Sequence, residues 1–147
     1  MREIEKAFAQ VLVEYEFALA LAGGRTEHSR SIDNDGHKKC SRYFTSTTVR
    51  RNFGIAVLRA TFRGEPAVQS ELAHLVGVSR NSIDRIIDDA LLGGWIEIDR
   101  DNTNQRLITA TDVMIDSYYT YSQAARQVGN RLNMAQLTLA IDAIITE

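Results

Sequence analysis

The sequence predicts a mainly α chain with one small β-hairpin, and three observations carry that expectation. Apolar residues recur at three- and four-residue spacings along most of the 147 residues. There is a single proline to interrupt them. Only between Trp95 and Thr109 does the period shorten to two, in β-rich runs on either side of a polar tip. With 44% hydrophobic and 24% charged residues, the composition is that of an ordinary globular domain long enough for one good core.

The first element is a helix over residues 3–22. Ile4, Phe8, Val11, Leu12, Tyr15 and Leu19 lie on one side of it, and Gly23-Gly24 stops it. The run Phe17 to Ala22 is far too short to cross a bilayer, and the amphipathic start is unlike a secretory leader. Cys40 is the only cysteine, so no intramolecular disulfide can form, which suits the cytoplasm.

Residues 23–44 read as a polar loop or arm, rich in Gly, Ser, Asp and Asn and without a period. His28, His37 and Cys40 fit no common zinc spacing, so no metal is expected there. Asp33-Asn34-Asp35-Gly36 resembles part of a calcium loop but lacks the first acid and has Arg42 where the last should stand. Cys40 has two readings. Lys38, Lys39, His37 and Arg42 beside it would lower the thiol pKa and favour oxidation sensing, or it is a plain surface cysteine.

Residues 68–111 carry the most information. Leu72, Ala73, Leu75 and Val76 run into Gly77-Val78-Ser79. Gly77 suits the left-handed close of one helix, Val78 a plug between two helices, and Ser79 the N-cap of the next. Ile83, Ile86, Ile87, Ala90 and Leu91 then make a buried stripe that ends at Gly93-Gly94. Trp95, Ile96 and Ile98 go out, Leu107, Ile108 and Thr109 return, and residues 101–105 form the tip. Helix, tight turn, helix, hairpin is the order of a winged helix-turn-helix over 45–111, a module that usually sets its second helix in the DNA major groove.

Several of these residues resemble the MarR family of winged-helix transcription regulators. They are Gln69-Ser70-Glu71-Leu72-Ala73, Gly77-Val78-Ser79, Ile86, Leu91 and Gly94-Trp95-Ile96-Glu97, with Asp99 to Thr111 in the place of the wing. The resemblance implies a homodimer on a pseudo-palindromic operator, often relieved by a small ligand or by oxidation. It places Ser79, Arg80, Asn81, Ser82, Asp84 and Arg85 on the recognition helix, and Gln105 and Arg106 at the wing. There are departures. Val68 stands where the family has a capping Thr, so no capping box forms with Glu71; Asn104 stands where an acid is common, and Met114 where a Gly is.

The residues themselves support the same interface. Arginine can bind guanine bidentately and asparagine can bind adenine, which suits Arg80 and Asn81 at a helix start. Arg100 and Arg106 flank the tip as cations for phosphates or the minor groove. Charge is divided along the chain, whose net charge is −2. Residues 24–64 hold nine Lys or Arg against three acids, whereas residues 65–110 hold four against eight. Affinity for double-stranded DNA would then draw on Lys38, Lys39, Arg42, Arg50 and Arg51 for phosphate contacts, with a steep salt response. The alternative is a winged-helix protein–protein interaction module without DNA binding, which suits the acidic half better.

The flanks, 1–22 and 112–147, read as dimerisation helices. Val113, Ile115, Tyr118, Tyr119 and Tyr121 mark one over 112–129, and Met134, Leu137, Ile141, Ile144 and Ile145 mark another that Asn133 caps. A two-fold axis would set two recognition helices roughly 34 Å apart. The alternative is a monomer in which these helices cover the back of the winged module. The tyrosines and the first helix would line a pocket for a small aromatic ligand. No phosphate loop, dinucleotide fingerprint or zinc-hydrolase motif is present, and His74 reads as a structural or phosphate-touching residue, so neither an enzyme nor a cofactor is expected.

Overall fold

The computed structural model describes residues 3–21 and 38–128. The expected C-terminal helix, His28, His37 and the Asp33–Gly36 run lie outside the described residues. The elements are α1 (Glu3–Leu21), α2 (Lys38–Thr45), α3 (Thr48–Phe62), β1 (Ala67–Val68), α4 (Gln69–Val76), α5 (Arg80–Gly93), β2 (Ile96–Arg100), β3 (Arg106–Ala110) and α6 (Asp112–Val128). The protein is mainly helical, with one antiparallel sheet in the order β1-β3-β2.

The helix-turn-helix forms as its punctuation dictates. Gly77 closes α4 in the left-handed conformation at φ 78°, and its amide returns to the Ala73 carbonyl. Val78 is half-buried against the core. Ser79 caps α5, its Oγ accepting from the Ser82 amide at 3.2 Å. Val68 supplies no side-chain cap to α4, as its chemistry requires. Ile83, Ile86, Ile87 and Ala90 are the buried stripe of α5, each isoleucine contributing about 1.5–3 kcal/mol of apolar burial. The exception is Leu91, which is 43% exposed.

The wing is held at its root and its tip. Ile98 faces Ile108, and Arg100 faces Arg106 at the open end. Thr111 Oγ1 donates to the Gly94 carbonyl at 2.7 Å, fastening the start of α6 to the end of α5. Thr61 Oγ1 of α3 accepts from the Ala110 amide at 2.9 Å. The hairpin also gains a third strand, β1, paired through Ala67 with Ile108 and through Val68 with Leu107. Two residues are too few to show a period in sequence.

Two expectations need correction. Residues 38–44 are not loop: α2 buries Cys40 and Phe44, four residues apart, beneath a polar surface. Phe44 stacks on Phe53 at 6.3 Å and meets Trp95 edge-on at 5.6 Å. The buried face of α1 is also rotated. It consists of Ala9, Leu12, Val13 and Glu16, whereas Ile4 stands 59% exposed. A carboxylate in the middle of that row is invisible to an apolar pattern.

Glu16 is the reason for the rotation. Both tyrosine hydroxyls of α6 that reach it donate to its carboxylate, Tyr118 to Oε1 and Tyr121 to Oε2, the latter at 2.9 Å. Two residues earlier, Glu14 accepts from Arg59 Nε at 2.8 Å and from Arg63 Nε at 2.6 Å. Arg59 also lies over the Phe17 ring at 4.1 Å. Polar bonds from two sides of one turn, Glu14 to the end of α3 and Glu16 to α6, thus seat α1 across both helices.

Candidate nucleic-acid interface

The side of α5 opposite its isoleucines is open. Ser79, Arg80, Asn81, Ser82 and Arg85 are all exposed. Among the described residues, the side chains of Arg80, Asn81 and Arg85 have no hydrogen-bond or ion-pair partner, while Ser79 and Ser82 face each other across 3.0 Å. Positions 81, 85, 88 and 92 fall on one outward line, so Asp88 and Leu92, the latter 91% exposed, share it with Asn81 and Arg85.

The acids of α5 are not all on that line. Asp84, expected among the DNA contacts, is half-buried and accepts from Gln69 Nε2 at 2.8 Å. Asp89 accepts from the Tyr43 hydroxyl at 2.8 Å. These two acids lie on opposite flanks of the buried stripe, about 140° apart around the helix. Burial, and then the bond and charge of Asp89, push the Tyr43 hydroxyl up to about 12.

Beyond the helix, the wing tip is a self-closed turn. Asp101 Oδ1 accepts from Thr103 N at 2.8 Å, Thr103 Oγ1 at 2.7 Å and Gln105 N at 2.9 Å. Those donors hold its carboxyl below the ordinary carboxylate range, the Thr103 hydroxyl contributing most. Asn104 takes φ 65°, and its carbonyl and Oδ1 both accept from Arg100 Nη1, at 3.2 and 3.1 Å. A neutral amide therefore does for Arg100 what an acid would. Arg106 is exposed and reaches back to Gln69 Oε1 at 3.4 Å. Gln105 is exposed at the tip.

The basic segment divides. Lys39 and Arg42 are exposed on α2, and Lys38 is half-buried. Arg50 lies over the Tyr43 ring at 4.3 Å and donates to Ser46 Oγ at 2.9 Å. Arg51 is half-buried, and its charge acts on Glu16 and Tyr121. The structure therefore turns Arg50 and Arg51 toward the protein and leaves Lys39 and Arg42 toward water.

A cavity of about 60 Å³ lies behind this surface, lined by Cys40, Phe44, Arg51, Met114, Tyr118 and Tyr121 among others. Tyr119 is not in its wall and stacks instead on Phe62 at 5.7 Å. Cys40 is corrected on both of its readings. It is 2% exposed, and burial pushes its thiol up to about 12 despite a Ser117 hydrogen bond that pulls the other way. Lys39 and Arg42 stay exposed on α2, which turns the sulfur inward. His74 is exposed on α4. Among the described residues there is no cluster of His, Cys, Asp and Glu that could hold a metal ion, and no helix long and apolar enough to cross a membrane.

No protein-family model matches the chain, and no curated protein matches it significantly. Solved structures do. The chain is similar to MepR, a transcription regulator of the Staphylococcus aureus multidrug efflux pump MepA, at 11% identity over 76% of this chain and 85% of that one, with a TM-score of 0.48. It is similar to the transcriptional regulator BldR from Sulfolobus solfataricus at 16% identity over 99% of both chains, with a TM-score of 0.47. It is also similar to the transcriptional regulator SlyA at 19% identity over 99% of this chain and 91% of that one, with a TM-score of 0.45.

Proposed function

We propose that this chain is a sequence-specific DNA-binding regulator of transcription that acts in the cytoplasm as a homodimer of the MarR kind. One observation carries the reading: the N-terminal face of α5, with Arg80, Asn81, Ser82 and Arg85, is exposed among the described residues, beside an exposed wing arginine. Arg80 and Asn81 read base edges, Arg85 supports them, and Arg100 and Arg106 hold the wing to the backbone. Lys39 and Arg42 supply phosphate contacts. Ile4 and Leu21, 59% and 58% exposed at the two ends of α1, suit a helix whose outer side meets a second copy.

The test is an electrophoretic mobility shift on random-sequence duplexes and on duplexes selected from them, at two salt concentrations. Retardation that favours the selected duplex and falls steeply with salt supports the reading. No retardation at the lower salt would end it.

Ligand control belongs to the same proposal. The cavity between α2, α3 and α6 is well below the roughly 300–1,000 Å³ of ordinary small-molecule sites, so an aromatic acid enters only by moving side chains. Absence of any thermal stabilisation by a panel of such acids counts against it. A second reading, a protein-interaction module, is favoured by one feature. Glu97 and Asp99 are exposed on β2, and Leu92 is 91% exposed nearby in sequence. Under that reading, no selected duplex is preferred.

A further inference from the structure

Arg80 and Arg85 each precede an acid by four residues, Asp84 and Asp89. Residues so spaced are neighbours on a helix surface, and opposite charges there pair. In an isolated α5 each arginine would therefore be drawn weakly toward its own acid. The structure shows neither pair. Asp84 is taken by Gln69 from α4 at 2.8 Å, and Asp89 by the Tyr43 hydroxyl from α2 at 2.8 Å. The donors come from two different elements and approach the two flanks of the buried stripe. Both arginines stay exposed and unengaged among the described residues.

We propose that Gln69 and Tyr43 are positioning residues that hold two of the three acids of the recognition helix, Asp84 and Asp89, aside and so keep Arg80 and Arg85 free for DNA. The inference rests on the DNA-binding reading and deepens it. It also accounts for an acidic module that binds a polyanion: two of its eight acids are turned back into the protein by neutral donors. Asp88 is the acid of α5 left on the outward line.

Tyr43 is the cleaner half to test. Tyr43→Phe removes one oxygen and keeps the ring against Phe44, Trp95 and Arg50, with centroid distances of 5.0 and 5.3 Å to the first two. Gln69→Ala also releases Arg106, so it serves as the second arm. Affinity is measured for a duplex selected by the wild-type chain, at fixed salt, alongside thermal unfolding. Tyr43→Phe is expected to lower affinity about 1.5- to twofold, the scale of one surface i,i+4 pair, and Tyr43→Phe with Gln69→Ala about two- to fivefold.

The deciding variants remove the acid. Asp89→Ala alone should keep or exceed wild-type affinity, and should restore it in the Tyr43→Phe background; Asp84→Ala should do the same for Gln69→Ala. If the bonds merely brace the helix, Asp89→Ala alone, which loses the acceptor as well as the charge, will cost as much as Tyr43→Phe and rescue nothing, and that result overturns the proposal. So does a Tyr43→Phe affinity equal to wild type. A wild-type chain that prefers no duplex would sink the DNA-binding reading itself, a result distinct from either.

Discussion

The ionised groups at the junction of α1, α3 and α6 and those at the start of α5 are treated in opposite ways. Glu14 and Glu16 are enclosed and saturated: four donors, from Arg59, Arg63, Tyr118 and Tyr121, close on two carboxylates. Burial alone would raise the Glu14 carboxyl, but the hydrogen bonds and charges of Arg63 and Arg59 outweigh it and hold it below the ordinary value. Arg80, Asn81 and Arg85 are exposed and unengaged among the described residues. A folded chain gains nothing from cations left in water, whereas a charge enclosed without partners would be costly. The two regions thus differ in what they leave over: the first is closed within the fold, and the second is left exposed, as the proposed DNA contact requires.

The largest expected effect lies in the enclosed region. Burial pushes the Glu16 carboxyl up to about 7 from an ordinary 4.5, against the Tyr118 and Tyr121 hydrogen bonds and the Arg51 charge. A raised carboxyl binds its proton more tightly in the folded than in the unfolded chain. Its cost is therefore absent below pH 4.5, grows as the pH rises, and is complete above about 7, where it amounts to roughly 3 kcal/mol. Glu16→Gln keeps the shape and removes the titration. In urea unfolding, the stability of the variant relative to wild type should improve by roughly 3 kcal/mol between pH 4.5 and 8, since groups common to both chains cancel. A difference that stays flat across that window would show that Glu16 keeps the same charge throughout, and the contrast between the two regions would lose its sharpest term.

The exposed region should answer in binding and not in stability. Arg80→Ala is expected to cost about 1–3 kcal/mol of affinity for a selected duplex and to relax the base preference at one position, with unfolding changed by less than about 0.5 kcal/mol. Unchanged affinity at fixed salt would remove Arg80 from the reading face. Arg106→Ala, at a proposed backbone contact, should weaken all duplexes alike and lower the salt slope by about one.

Much of this division was readable in the sequence, and the part that was not has a common cause. The helix-turn-helix and the wing follow from local signals: the left-handed Gly77, the Ser79 cap, the isoleucine stripe and the change of period after Gly94. The buried stripe of α1 was misplaced because Glu16 finds Tyr118 and Tyr121 more than a hundred residues away. Asp84 has its partner Gln69 fifteen residues back and Asp89 its partner Tyr43 forty-six residues back, separations at which no local pattern reveals a pairing. Arg51 acts on Glu16, thirty-five residues back, whereas Arg50 is engaged within its own stretch of chain, by Ser46 and the Tyr43 ring. α2, at eight residues, is too short for its period to outweigh its polar composition. Pattern shows which side of an element is apolar, but the fate of a charge is decided by whichever distant donor or acceptor the fold brings to it.

Ser79 stands on the border between the two regions and yields the smallest effect and the finest distinction. Its hydroxyl caps α5 through the Ser82 amide, and it also sits where the helix would meet a groove. Ser79→Ala loses the cap and should cost about 1 kcal/mol of stability, and Ser79→Gly only a few tenths. Both should weaken DNA binding little beyond what the loosened first turn explains. Ser79→Asp separates the roles. A carboxylate caps at least as well and gains from the positive end of the helix, so stability should hold or rise slightly. The same charge would face the phosphates, so affinity for every duplex should fall, and more at low salt than at high. If Ser79→Asp binds DNA as wild type does while its stability is preserved, the start of α5 does not approach the backbone at all, and the open face would belong to some other partner.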